Sequence, residues 1–194
     1  MARLEPLAPD AKPEVRANLE HFQKILGYLP STVLVMCRIP RLVKGLNQLA
    51  AAVWDPASEV DAGLKRLVAY MCGKTHGSQY SMLHAAESAH AAGIDVAKIN
   101  AVEEYRTSPL FTEKERVTLD YAVAAASQPN AVTDELFDQM KKYWTETQIV
   151  EITAVVSING FLNRWNDTVA PPFEPVPMEF ARKNLKRRFT DNSR

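Results

Sequence analysis

The chain has 194 residues, 46% of them hydrophobic and only seven of them glycine, which is enough for one well-buried core and short for two. Lysine plus arginine equals aspartate plus glutamate at 23 each, so the net field gives no reason to expect nucleic acid or an anionic membrane as partner. Two cysteines, Cys37 and Cys72, are too few for a disulfide framework, and no apolar run is long enough to span a bilayer or to serve as a leader, so the expectation is a cytoplasmic protein with packed thiols.

Apolar residues recur at three- and four-residue spacing almost throughout, and alternating β-branched runs between turn signals are absent, which predicts an all-α protein. Helices are expected at 13–27, then at 40–54 with Pro40 in its first turn, then at 59–74, 78–92, 95–105, 113–127, 133–142 and 146–168. Three starts place a hydroxyl cap three residues ahead of an acceptor that reaches back: Ser58 with Asp61, Thr112 with Glu115, and Thr145 with Gln148. The stretch "TVAPPFEPVP" (168–177) holds four prolines and predicts a non-helical segment wrapping the surface, followed by a last helix at 178–189. The basic residues of that tail, Arg182, Lys183, Lys186, Arg187 and Arg188, read as a solvated helix face.

Sliding the chain by 85 residues lays "LKRLVAYMCGKTHGSQYS" against "IVEITAVVSINGFLNRWN". The match suggests two related helical hairpins, with chance similarity between amphipathic helices as the competing explanation. It also sets Glu151 against Arg66, a pair that could meet across a pseudo-twofold axis.

The stretch "HGSQYSMLHAAESAHAAG" (76–93) concentrates the reactive side chains. At about 100 degrees per residue, Ser78, Ser81 and His84 form one narrow stripe with Tyr80 beside it, and Gly77 permits a sharp entry to the helix. Ser81 could approach His84, with Glu87 one turn on to orient the imidazole, but a plain helix offers a serine nucleophile no oxyanion hole. His84, Glu87 and His90 lie too far round the helix to gather on a metal, so no metal is expected. His76, in the turn, and His84 are the leading candidates for acid–base or ligand contacts, with satisfied structural histidines as an equal alternative. Asn159, Asn163 and Asn166 draw a polar line along an apolar helix, which serves interhelical hydrogen bonds or faces a pocket.

Three stretches, 64–93, 108–137 and 148–174, in one order within a span from about Val60 to Leu185 that makes up about two thirds of the chain, resemble the carboxymuconolactone decarboxylase and alkylhydroperoxidase D-like superfamily, especially its peroxidase-related branch. That branch typically carries Cys-x-Tyr-Cys with a histidine three or four residues on, and the motif falls on Ser78, Tyr80, Ser81 and His84. The resemblance implies an alkylhydroperoxidase D-like helical fold in one domain over 1–194: a core at about 60–170, N-terminal helices within 13–54, and a docking tail at 171–194. It also implies a homo-oligomer (dimer, trimer or hexamer).

In redox-active members the cysteine pair cycles through a disulfide, with histidine and glutamate relaying protons. Here both cysteines are serine, and the position of the relay glutamate, about twelve residues ahead of the first, is Arg66. Serine forms no disulfide, so a dithiol cycle is unavailable at Ser78 and Ser81.

Three functions follow as expectations, and whether the chain is an enzyme stays open among them. One is a small-molecule enzyme or binding protein without a thiol cycle or cofactor, its candidate residues His84, Ser81, Ser78 and His76, with Tyr80, Cys72, Glu87, Asn163 and Asn166 around them. The second is an antioxidant peroxidase-related protein acting through Cys72, or degenerate. The third is a non-catalytic oligomeric protein.

Overall fold

The computed structural model describes residues 2–190. Among them the regular structure is helical, with no strand: α1 (Arg16–Leu26), α2 (Ser31–Met36), α3 (Pro40–Val53), α4 (Ala62–His76), α5 (Gln79–Ala91), α6 (Val96–Asn100), α7 (Glu113–Ala126), α8 (Asp134–Tyr143), α9 (Glu146–Val169) and α10 (Pro175–Asn184). No helix among the described residues is long and apolar enough to cross a membrane.

The core is built around α4, which packs on α5, α7 and α9 and is buried on nearly every side. A helix apolar all round belongs in the interior, and Leu64, Leu67, Val68, Met71 and Cys72 fill it there. Gly73 lets α5 come close: a Cβ at that position would sit 3.1 Å from the Met82 backbone nitrogen and 3.3 Å from Ser81 Cβ. One charged group enters the core with it. Lys65, only 3% exposed, donates to the Val53 carbonyl at 2.9 Å and lies 3.6 Å from Glu151. A buried ammonium is tolerable only with such partners.

Several starts match their chemistry. Thr112 with Glu115 and Thr145 with Gln148 close capping boxes on α7 and α9, and Thr133 caps α8. Other expectations need correction. Ser58 caps nothing: α4 begins at Ala62, where the Asp61 carboxylate accepts the Leu64 N–H at 2.8 Å, and the Ser58 hydroxyl instead meets Glu151. Glu151 therefore pairs with Lys65 and not with Arg66, whose guanidinium lies 3.7 Å over the Trp54 ring. The short helix α2 was absent from the sequence reading because six largely apolar residues show no period. The element at 95–105 breaks after Asn100 into α6 and a separate 3-10 turn at 102–104.

The proline-rich stretch is only partly extended. Helix α10 starts inside it, at Pro175, because prolines in a first turn lack only N–H groups that have no helical partner anyway. It ends at Asn184, and Asn100 clasps that end by accepting from the Lys186 N–H and donating to the Asn184 carbonyl. Glu103 receives Tyr70, Lys74 and Arg187 together, which fastens the tail to α4. As for the apparent repeat, its second half lies wholly inside the unbroken helix α9, without the turn found at Gly77.

Candidate functional site

Gly77, at φ +78°, ends α4 in the left-handed conformation, and Ser78 then takes the N-cap position of α5 without a side-chain capping hydrogen bond. Ser78 and Ser81 are both buried, and the Ser78 hydroxyl donates to Ser81 Oγ at 3.2 Å. From α9, Asn166 donates to the same Ser81 oxygen at 3.3 Å and accepts from the Thr32 hydroxyl at 2.7 Å. The serines thus sit in a closed hydrogen-bond chain and make none with His84.

One turn further along α5, both nitrogens of His84 are engaged. Nδ1 is 2.8 Å from the Tyr28 hydroxyl and Nε2 is 2.6 Å from Glu174 Oε2, while the ring stacks on Tyr80 with centroids 4.2 Å apart. The other Glu174 oxygen accepts from the Tyr80 hydroxyl at 2.6 Å and from the Ser31 N–H at 2.5 Å. With a carboxylate at Nε2, that nitrogen carries the proton and Nδ1 accepts from Tyr28.

Glu174 is only 5% exposed. Burial resists its ionisation, but the hydrogen bonds from His84, Tyr80 and the Ser31 N–H outweigh this and hold its carboxyl below the usual range. Burial acts first on Tyr28 as well, and the carboxylates of Glu87 and Glu174 add to it, so the phenol is pushed far up and stays protonated.

Tyr28, Tyr80 and His84, but not Glu174, line a cavity of about 450 Å³ between the N-terminal helices and the α4–α5–α9 core. Phe22, Leu26, Trp54 and Leu162 make much of its wall apolar; Tyr28, Tyr80, Ser81, His84, Asn159 and Asn166 give it one polar side. Of the residues singled out from sequence, His84, Ser81, Tyr80, Asn159, Asn166 and Arg66 reach this wall.

Ser78 lies behind Ser81, and His76, Cys72, Glu87 and Asn163 do not line the cavity. His76 Nδ1 is engaged by the Cys72 carbonyl at 3.0 Å, with Asn163 Nδ2 at 3.4 Å. Cys72 is fully buried and its thiol is pushed up to about 12 by that burial; Cys37 is buried and shifted upward for the same reason. Glu87 does not orient the imidazole, because Tyr28 and Glu174 already occupy it. His90 stacks on Phe180 of α10.

The position expected for the relay acid holds Arg66, not a carboxylate. The structure supplies a carboxylate to the histidine from a different place, Glu174, ninety residues further along. A signal was available: Glu174 is the single charged residue in ten and is followed by proline, a pattern that fixes it as the first residue ahead of a helix. Tyr28 carried no such signal.

No family model matches the chain. A stretch of 75 residues is 33% identical to the uncharacterized protein YnjA of Escherichia coli (strain K12); it covers 39% of this chain and 41% of that protein, less than half the length of the relative. A cysteine-to-alanine variant of the debrominase Bmp8, solved in complex with 2,3,4-tribromopyrrole, is 28% identical with a TM-score of 0.85, over 93% of this chain and 96% of that one. Two uncharacterized peroxidase-related proteins share the fold. That from Ralstonia eutropha JMP134, described as an alkylhydroperoxidase AhpD core, has a TM-score of 0.80 at 15% identity over 91% of this chain and 94% of its own. That from Silicibacter sp. TM1040 has a TM-score of 0.77 at 16% identity over 88% and 90%. By its helix order, the chain has the alkylhydroperoxidase D-like helical fold that these structures share.

Proposed function

We propose that the protein binds a small, largely apolar molecule in the cavity and performs acid–base chemistry on it through Tyr28, His84 and Glu174, without a thiol cycle. The observation that carries this reading is a hydrogen-bonded line in which Tyr28 and His84, both in a cavity wall that contains no cysteine, are joined to the buried Glu174 outside that wall. Tyr28 is the member placed to take a proton from a bound ligand as its own proton passes to His84 Nδ1, and the buried Glu174 carboxylate stabilises the imidazolium that forms. Ser78 and Ser81, standing where redox-active members carry cysteines, hold the start of α5 to α9 and α2. The cavity's size and apolar wall suit a compact ring, and 2,3,4-tribromopyrrole, held by the debrominase relative, is a ligand of that kind. A homo-oligomer in the cytoplasm completes the reading; Val150 and Phe161, exposed on one side of α9, offer an apolar surface for assembly.

The test combines two assays on the purified protein. Small aromatic compounds are screened for thermal stabilisation of the wild type and of Ala50→Trp, whose indole would fill the cavity. Stabilisation of the wild type alone supports the reading. Hydroperoxide consumption at the expense of a dithiol donor, abolished by Cys72→Ser, would overturn it.

A further inference from the structure

Helix α4 brings one cation to the cavity wall. Arg66 stacks its guanidinium 3.7 Å over Trp54, a neighbour in the same wall, and among the described residues it takes no ion pair or hydrogen bond. Burial lowers it from the usual arginine range to about 10, partly offset by Tyr28 and Glu87, so it remains charged at neutral pH. In the same wall the buried side-chain amide oxygen of Asn47 also has no hydrogen-bond partner among the described residues. A half-desolvated cation with five unused donors is costly to leave alone, and the cavity is where an acceptor can reach it.

We propose that Arg66 is the anchor for an anionic group, so that the ligand of this cavity is a small aromatic or alicyclic acid whose carboxylate pairs with the guanidinium and whose ring fills the apolar part. The proposal rests on the cavity being the ligand site. Trp54 holds the guanidinium plane, which presents two parallel N–H donors to a carboxylate, a geometry lysine cannot reproduce. The ring then extends toward Tyr28 and His84, which line the same cavity.

A matched pair of probes tests this: 2-naphthoate and its neutral counterpart 2-naphthamide, titrated calorimetrically into the full chain as wild type, Arg66→Met and Arg66→Lys, with circular dichroism melts confirming that each variant folds. The expected result is that the wild type prefers naphthoate about 10- to 100-fold, the range of one charge-assisted contact. Arg66→Met removes the preference while leaving naphthamide affinity within about threefold, and Arg66→Lys restores only part of it. Equal binding of both probes by the wild type, or a preference that survives Arg66→Met, overturns the anchor and leaves the cavity standing as a site. Binding of neither probe by the wild type overturns the cavity reading and the anchor with it.

Discussion

Removing the Glu174 side chain is the sharpest perturbation available. Alanine there strips an acceptor from the Ser31 N–H at 2.5 Å and from the Tyr80 hydroxyl at 2.6 Å, and leaves His84 Nε2 without the oxygen now 2.6 Å away. Hydrogen bonds to a charged group contribute about 1.5–3 kcal/mol each, but the variant also escapes the cost of burying a carboxylate, so the three do not simply add. Breaking a buried pair by deleting one member costs about 3–5 kcal/mol, which at about 2–4 °C per kcal/mol for a chain of this size lowers Tm by roughly 6–20 °C. Glu174→Gln, which keeps an acceptor for Ser31 and Tyr80, loses about 1–2 kcal/mol. The pH dependence has a definite sign. A carboxyl held below its unfolded value stabilises the fold above the ordinary carboxylate range and loses that contribution as pH falls toward its folded value, so the gap between wild type and Glu174→Ala narrows on acidification. Urea denaturation from neutral pH down to about pH 3.5, below the unfolded carboxyl value, measures it. A gap under about 1 kcal/mol at neutral pH, or one that widens in acid, refutes the reasoning.

Further outcomes are expected from the same geometry. In Tyr28→Phe, His84 loses its Nδ1 partner; stability falls by about 1 kcal/mol, and imidazole nitrogen spectra change from a single Nε2-protonated form to a mixture, whereas an unchanged spectrum would place Tyr28 outside the relay. Neither Cys37 nor Cys72 reacts with a disulfide reagent at pH 8 until the chain unfolds, and prompt native modification of Cys72 would contradict its burial. Ser78→Cys combined with Ser81→Cys gives an internal disulfide in air, detected as the loss of two hydrogens by mass spectrometry, since the two oxygens already lie 3.2 Å apart at a helix start; two persistently free thiols would count against this geometry. Gly73→Ala destabilises by about 1 kcal/mol net despite alanine's better helix propensity, because its Cβ meets α5 backbone that cannot swing aside; a neutral or stabilising result would show that α5 can retreat.

The sequence by itself determined the helical class, most helix ends and the stripe Ser78, Ser81, His84, because each depends on local rules: apolar period, hydroxyl caps, and side chains three apart sharing a face. The capping boxes on α7 and α9 are legible for the same reason, as both partners lie within four residues. What local rules cannot reach is which distant group arrives at a given face. Glu151 found Lys65 and not Arg66, one residue away and pointing elsewhere, and Ser58 turned from its own helix to that same carboxylate. His84 received Tyr28 from the loop after α1 and Glu174 from the start of α10, residues 56 and 90 positions away. Only the tertiary structure decided those meetings, because they are fixed by how α1, α5 and α10 pack; that packing also left Arg66 facing the cavity without a counter-ion among the described residues and set Ser81 and His84, but not Ser78, in the cavity wall.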